Sequence, residues 1–206
     1  MTSDPPELSI VIPAYNEADR LEPTLRRVVE YCAAERPSYE VLVVDDGSTD
    51  GTAELAGSVA EEHPGLRVLP QGVNRGKGAA VRAGVLAARG ARILFSDADL
   101  ATPIEELGKL DAELDRGFDV AIASRAAPGA DIRVRQHPVR ELMGRTFNLM
   151  VRTVAVGGIR DTQCGFKLFT RAAAHDLFSR ARVDGFAFDV EILWLARGCY
   201  RIAEVP

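Results

Sequence analysis

"ILFSDADLATP", residues 93–103, is an apolar run that ends in two aspartates one residue apart, with a proline four positions after the second. Ile93, Leu94 and Phe95 suit a strand buried on both faces. Asp97 and Asp99 carry like charges at short range, so the pair is unfavourable unless something offsets the repulsion. Along an extended strand end the two carboxylates would point oppositely. A turn directly after the strand would let them share a ligand. Mg²⁺ and Mn²⁺ accept carboxylate oxygens together with substrate phosphates, and such a cation would neutralise the pair. An acidic loop that only caps the next helix is the plainer reading of so short a motif.

Working outward, the same strand-then-polar-end pattern recurs. "LSIVIPAY" (8–15), "YEVLVVDDGS" (39–48), "LRVLP" (66–70), "ARILFSD" (91–97) and "FDVAIAS" (118–124) read as strands. Between them, helices are expected over 18–35, 50–62, 78–89 and 103–116. The first carries Leu21, Leu25, Val28, Val29 and Cys32 at helical spacing. The second is expected to be capped by Thr49 or Asp50, and Pro103 suits the first turn of the last. Further on, a loop is expected over 126–137, helices over 139–156, 171–180 and 187–197, and strands over 163–170 and 200–205. Alternating strands and helices with continuously apolar strands predict an α/β fold, a mainly parallel central sheet flanked by helices. Four of the strands end in Tyr15-Asn16-Glu17, Asp45-Asp46, Asp97/Asp99 and Ser124-Arg125. In a parallel sheet those ends share one edge, where ligands bind.

The 206 residues suffice for one α/β domain, and 47% hydrophobic with 27% charged residues is ordinary for a globular chain. A net charge of −5 argues against a nucleic-acid partner. The charge is uneven. Residues 125–152 hold six arginines against Asp131 and Glu141, locally +4, which leaves about −9 elsewhere. Three cysteines without a CxxC spacing suit a reducing, cytoplasmic setting. The N-terminal residues lack signal-peptide character, and no run reaches the roughly 18–20 apolar residues of a membrane span.

Two more stretches bear on chemistry. In "VVDDGSTDGT" (43–52) an acid pair followed by Gly and Ser ends a strand on the ligand edge. Its carboxylates suit a nucleobase N–H or ribose hydroxyls, with Asp46 binding while Asp50 or Thr49 caps. "NRGKGAAVRAG" (74–84) is neither a P-loop nor a dinucleotide fingerprint. It is a candidate phosphate cradle with Lys77 or Arg75 supplying charge, or simply a tight turn.

Taken with "SIVIPAYNE", "ASR", "RDTQCGFKLF" and "DGFAFDVEILWLA", these stretches occur in an order that resembles the family 2 glycosyltransferases of the GT-A (nucleotide-diphospho-sugar transferase) fold. The chain is most similar to the dolichyl-phosphate β-glucosyltransferases and their polyprenyl-phosphate relatives. "DTQCGFKLF" and "FDVEI" are the narrowest of these stretches. The dolichyl-phosphate mannose synthases are cousins. They carry a polar residue where this chain has Ala101 and a serine where it has Gly144.

The resemblance implies a single glycosyltransferase domain over 1–206, with a nucleotide-sugar half at 8–125 and an acceptor half at 126–206. Relatives extend beyond the position of Pro206, so the acceptor half is expected to be truncated. Pro13, Ala14, Tyr15, Glu17 and Asp46 would line the donor pocket with Lys77, Asp97, Ala98 and Asp99. Asp99 and Asp97 would hold Mg²⁺ or Mn²⁺. Arg125 and Arg140 would grip the acceptor phosphate, and Asp161, Gln163 and Asp189 would form the acceptor side of the catalytic centre. Asp189 is otherwise a helix N-cap. Cys164 reads as a packed small residue.

The implied reaction moves a hexose, glucose from UDP-glucose being favoured, onto a polyprenyl or dolichyl phosphate with inversion. A phosphate monoester has a second pKa of about 6 and needs no base to attack. Alternatives are a GDP-mannose donor, a hydroxyl acceptor, or a non-catalytic nucleotide-sugar-binding protein. The helix expected over 139–156 sets Met143, Phe147 and Met150 on one face and arginines on another. That pattern suits either an ordinary half-buried helix with a solvated face or peripheral binding at the cytoplasmic face of a membrane.

Overall fold

A computed structural model describes residues 4–124 and 159–206. The expected loop at 126–137, the helix at 139–156, and Arg125 and Arg140 lie outside the described residues.

The described residues alternate strand and helix through most of their length. β1 (Leu8–Ala14), α1 (Leu21–Glu35), β2 (Tyr39–Asp45), α2 (Thr52–Glu62), β3 (Leu66–Pro70), α3 (Lys77–Ala87) and β4 (Arg92–Ser96) come first. A short 3₁₀ turn (Ile104–Glu106), α4 (Leu107–Asp115) and β5 (Val120–Ala123) follow. Beyond residue 159 come β6 (Phe166–Thr170), α5 (Arg171–Arg180), α6 (Phe188–Ala196) and β7 (Ile202–Val205). The strands form one sheet in the order β3-β2-β1-β4-β6-β5-β7. β6 runs antiparallel to both β4 and β5, and every other pairing is parallel. The mainly parallel sheet expected from the sequence is therefore present. Its one reversed strand is not visible in composition, because a buried central strand is apolar in either direction.

Strand alternation splits the core into two layers. Ile10, Ile12, Val41, Val43 and Leu94 face α1, α2 and α4. Val11, Leu42, Val44, Ile93 and Phe95 face α3, α5 and α6. The five α1 residues singled out by spacing, Leu21, Leu25, Val28, Val29 and Cys32, are all buried. α3 packs closely because Gly84 has no side chain: a methyl there would lie 2.8 Å from Val44 Cγ2.

Two expectations about helix starts are corrected. The cap position of α2 is Gly51 at φ +90°, not Thr49 or Asp50. Asp50 acts one residue earlier, its carboxylate accepting from the Thr52 N–H at 3.1 Å. Pro103 precedes its helix with an extended ψ of 142°, so the expected single helix over 103–116 begins as a 3₁₀ turn and becomes α-helical at Leu107.

Burial pushes the Cys32 thiol up to about 12, whereas Cys199 is exposed. Only thiolates react readily. Maleimide labelling of the native protein, read by peptide mass mapping, is expected to modify Cys199, and to reach Cys32 and Cys164 only in denaturant.

Candidate active site

The carboxyl ends of β1, β2, β4 and β5 lie along one edge of the sheet, since these strands share a direction. Because β6 is reversed, its beginning rather than its end lies at that edge. This brings the residues just before it, Asp161 to Gly165, beside the ends of β4 and β5. Hence the two described stretches, 4–124 and 159–206, meet at this edge.

The loops after β1 and β2 are tied together. Asn16, at φ +53°, donates its N–H to Ser48 Oγ at 3.0 Å, and its side-chain oxygen accepts from the Thr49 N–H at 2.9 Å. Glu17 N–H donates to Thr52 Oγ1 at 2.8 Å, and Ala18 N–H to Asp50 at 3.1 Å. Pro13 and Ala14 are buried at the strand end, Tyr15 is exposed, and Glu17 pairs with Arg20. The hydrogen bond to Glu17 raises the Arg20 guanidinium's pKa above its ordinary value, and the Asp99 carboxylate adds to this. Arg20 therefore lies in the field of Asp99, a proximity the sequence spacing does not reveal.

Asp46 is buried, and both its oxygens accept backbone N–H groups, from Arg75 and from Gly76, each at 2.8 Å. It thus holds the glycine-rich loop against β2. Gly76, at φ +100°, needs the conformational freedom of glycine there, and Lys77 opens α3 immediately after it.

After β4 the chain turns at once. Leu100, at φ +45°, donates its N–H to the Asp97 carbonyl at 3.3 Å. Asp99 is exposed, and its Oδ1 accepts from the Ala101 N–H at 3.0 Å. Ala98 is buried, and its carbonyl accepts from Thr24 Oγ1 on α1 at 2.7 Å. The turn needed to bring two alternating aspartates toward one side is therefore present. Lys77 Nζ lies 2.7 Å from Asp97 Oδ1, but that buried oxygen has no donor aligned on it as a hydrogen bond. The contact is a charge pair, and Oδ1 retains lone pairs for a further partner. No three His, Cys, Asp or Glu side chains gather among the described residues. Two carboxylates at an open edge are the donor set that suits a divalent cation completed by substrate phosphates rather than one caged by protein.

Behind Asp97 sits a buried ion pair. Lys167 on β6 donates to Asp189 on α6 and to the Cys164 carbonyl, and both charged side chains are almost fully buried. Burial is the leading influence on Asp189 and raises its pKa, although Lys167 pulls it down. Phe95 lies against both lysines. Its ring lies 5.5 Å from Lys77 Nζ and 5.7 Å from Lys167 Nζ, and Phe188 packs edge-on against it at 5.5 Å. Asp189 is consequently not an N-cap. α6 begins one residue earlier at Phe188, with Ala187 in the cap position.

Asp161 is buried, with its N–H donating to Glu204 of β7 at 2.9 Å. Gln163 is half-buried, and Cys164 is buried with its sulfur 3.8 Å from Thr102 Oγ1. The structure thus brings Lys77, Asp97, Lys167 and Asp189 into one charge cluster, with Asp99 at its outer lip. Sequence reasoning passed over Thr24 and Thr52, and quoted Gly165 and Lys167 within the 161–167 stretch without giving either a role of its own. For Lys167 a signal existed: a lysine inside the otherwise apolar strand "FKLFT" demands a buried counter-charge.

Comparison with known proteins gives the family and the fold. The glycosyl transferase family 2 model matches residues 9–178. A dolichyl-phosphate beta-glucosyltransferase of Trichomonas vaginalis is 42% identical over 209 residues, covering 96% of this chain and 62% of its own length. The Homo sapiens dolichyl-phosphate beta-glucosyltransferase is 39% identical, covering 93% and 63%. The chain therefore spans somewhat under two thirds of these relatives. Among solved structures, glucosyl-3-phosphoglycerate synthase of Mycobacterium tuberculosis, determined with Mn²⁺, uridine diphosphate and glucosyl-3-phosphoglycerate, superposes with a TM-score of 0.73 at 23% identity, covering 97% of this chain and 69% of that one. A mannosyltransferase of Pyrobaculum calidifontis, in complex with GDP-Man and Mn²⁺, gives 0.66 at 23% identity, covering 99% and 56%. The fold is the GT-A fold these glycosyltransferases share, and the chain belongs to glycosyl transferase family 2.

Proposed function

We propose that this chain carries out inverting transfer of a hexose, glucose from UDP-glucose in the favoured case, onto a polyprenyl or dolichyl phosphate. The observation that carries the proposal is the cluster at the sheet edge: Asp97 and Asp99 on one tight turn, Lys77 against Asp97, and the 161–165 segment alongside. The identity of 36–43% with dolichyl-phosphate β-glucosyltransferases supports the donor and acceptor classes.

The difficulty of this reaction is electrostatic, because two anions must meet at one sugar carbon. Asp97 and Asp99 would hold Mg²⁺ or Mn²⁺, which when bound neutralises the diphosphate leaving group. Lys77 would change partners, from Asp97 to a donor phosphate. Pro13, Ala14, Tyr15 and Glu17 would receive the nucleoside, on the loop braced by Ser48 and Thr52. Asp46 would act there chiefly by shaping the loop that carries Lys77. Asp161, Gln163 and Asp189 would stand on the acceptor side. Arg125 and Arg140 would hold the acceptor phosphate through charge-assisted hydrogen bonds. The nucleophile is already ionised, so no side chain need remove a proton.

The proposal also places the chain peripherally at the cytoplasmic face of a membrane, on the strength of the arginine-rich 125–152 segment. No helix among the described residues is long and apolar enough to cross a bilayer.

Incubation with labelled UDP-glucose, UDP-galactose or GDP-mannose, Mn²⁺ and a polyprenyl phosphate in detergent tests the reading. Label from UDP-glucose is expected in an organic-extractable, mild-acid-labile product. Preference for GDP-mannose contradicts the sugar assignment, and label confined to polysaccharide contradicts the acceptor. Arg140→Ala is expected to raise the acceptor KM by about 10- to 100-fold, the worth of a charged hydrogen bond, while calorimetric UDP binding stays unchanged.

A further inference from the structure

The geometry points to Gly165 as a positioning residue for the Asp97 carboxylate, an inference that rests on reading Asp97 as part of the donor's cation site. Gly47, Gly51, Gly72, Gly76, Gly117 and Gly198 have positive φ, so their backbones favour glycine. Gly165 is not among them. Its backbone accepts any residue, yet the space above it accepts none larger. A methyl group on Gly165 would lie 2.6 Å from Asp97 Oδ1 and closer still to Oδ2 and Cγ. The three nearest atoms all belong to the Asp97 carboxylate. What demands glycine here is one catalytic-site side chain lying flat on the main chain.

The contact is reinforced from both sides. The Gly165 carbonyl accepts the Asp97 N–H at 2.9 Å, so backbone and carboxylate of Asp97 rest on the same residue. Immediately after it, Phe166 pairs with Ser96 in the antiparallel ladder. Lys167 fastens the segment to Asp189 and to the Cys164 carbonyl. On the other side Cys164 approaches Thr102. The platform is therefore anchored, while the aspartate side chain turns about its own bonds. A methyl group at 165 would leave the ladder in place and force the carboxylate out of the position in which it meets Lys77. This also gives the reversed strand β6 a function. Its direction brings the segment that enters the strand, Gly165 included, beneath the Asp97 carboxylate.

The experiment is a double-mutant cycle of Gly165→Ala and Asp97→Ala on the full chain, read by thermal unfolding and by calorimetric titration with UDP, with Mn²⁺ or with EDTA. Gly165→Ala alone is expected to lower Tm by about 3–8 °C, the cost of overpacking in a chain of this size. In the Asp97→Ala background the same change is expected to be neutral or to raise Tm, because it removes unfolded-state freedom where the backbone is compatible. UDP affinity in Mn²⁺ is expected to fall about 10- to 100-fold in Gly165→Ala, as for a misplaced catalytic group, with no change in EDTA. An equal Tm loss in both backgrounds overturns the inference, as does failure of both the single and the double variant to fold. A single variant that fails to fold beside a double variant that folds supports it. If Asp97→Ala weakens Mn²⁺-dependent UDP binding and Gly165→Ala does not, the positioning role alone is overturned. If neither substitution affects that binding, the cation-site reading falls and takes the inference with it.

Discussion

Asp99→Asn is expected to lower hexosyl transfer by about 10³-fold and to abolish the dependence of UDP binding on Mn²⁺. The substitution isolates charge from shape. Asp99 Oδ1 accepts the Ala101 N–H at 3.0 Å, and an asparagine oxygen in the same place keeps that bond and hence the turn. What disappears is half of the negative charge that two carboxylates set at the open edge. Without it, Asp97 alone faces Lys77 at 2.7 Å, and a cation would have to compete with the Lys77 ammonium for one carboxylate. Thermal stability should change little, because Asp99 is exposed and its turn is retained. The check is calorimetric titration of UDP with and without Mn²⁺, beside the transfer rate. An unchanged Mn²⁺ dependence in the variant would remove Asp99 from the cation site.

Lys167→Met is expected to cost about 3–5 kcal/mol of stability, the usual penalty for leaving one partner of a buried ion pair unpaired. At about 2–4 °C per kcal/mol this is roughly 6–20 °C in Tm for a chain of this length. The side chains of Lys167 and Asp189 are only 1% and 5% exposed, so solvent does not screen the loss. Methionine preserves the length and apolar stem of lysine, which leaves the charge as the main change. The penalty should depend on pH, with a definite sign. Burial raises the Asp189 pKa, and Lys167 opposes that rise. Removing Lys167 raises the folded-state pKa further above the unfolded one. The folded variant then holds a proton that the unfolded chain has released, so its stability is greatest in acid and falls as pH rises from about 4 toward the new folded pKa. Urea unfolding at pH 4 and pH 7 should show a smaller gap between wild type and variant at the lower pH. A gap that is equal or wider at pH 4 contradicts the pairing. The double variant Lys167→Met/Asp189→Leu should recover much of the loss, since apolar replacement of a buried pair is often neutral.

These two residues mark where reading the sequence succeeds and where it stops. The strands and helices expected from apolar runs are present in nearly every case within the described residues, because a parallel sheet covered on both faces leaves a strong local signature. The polar strand ends were legible for the same reason: Asp46, Asp97 and Asp99 stand where an apolar run breaks. The direction of β6 was not legible. "FKLFT" contains nothing that distinguishes a strand entering the edge from one leaving it, yet that direction carries Gly165 to Asp97. Contacts across long sequence separations were equally hidden. Thr52 under Glu17, Thr24 on the Ala98 carbonyl and Lys167 against Asp189 each depend on how elements pack, not on local spacing. Asp189 was named for its motif, but its partner came from a strand, β6. Asp46 illustrates a subtler gap. The motif places an acid at the donor edge, whereas the fold occupies both its oxygens with the loop that precedes Lys77. Gly165 was quoted within a motif and left without a role, since only the position of a neighbouring carboxylate explains why nothing larger fits.

The central claim is that the Asp97–Asp99 turn holds the cation on which the donor diphosphate rests. Anomalous diffraction at the manganese edge, from crystals of this protein soaked with UDP-glucose and Mn²⁺, tests it directly. The account predicts one strong peak within coordination distance of an Asp99 oxygen, bridged to the diphosphate, with Lys77 turned from Asp97 toward a phosphate. A peak bound elsewhere, or ordered UDP-glucose with no manganese beside these aspartates, would contradict it.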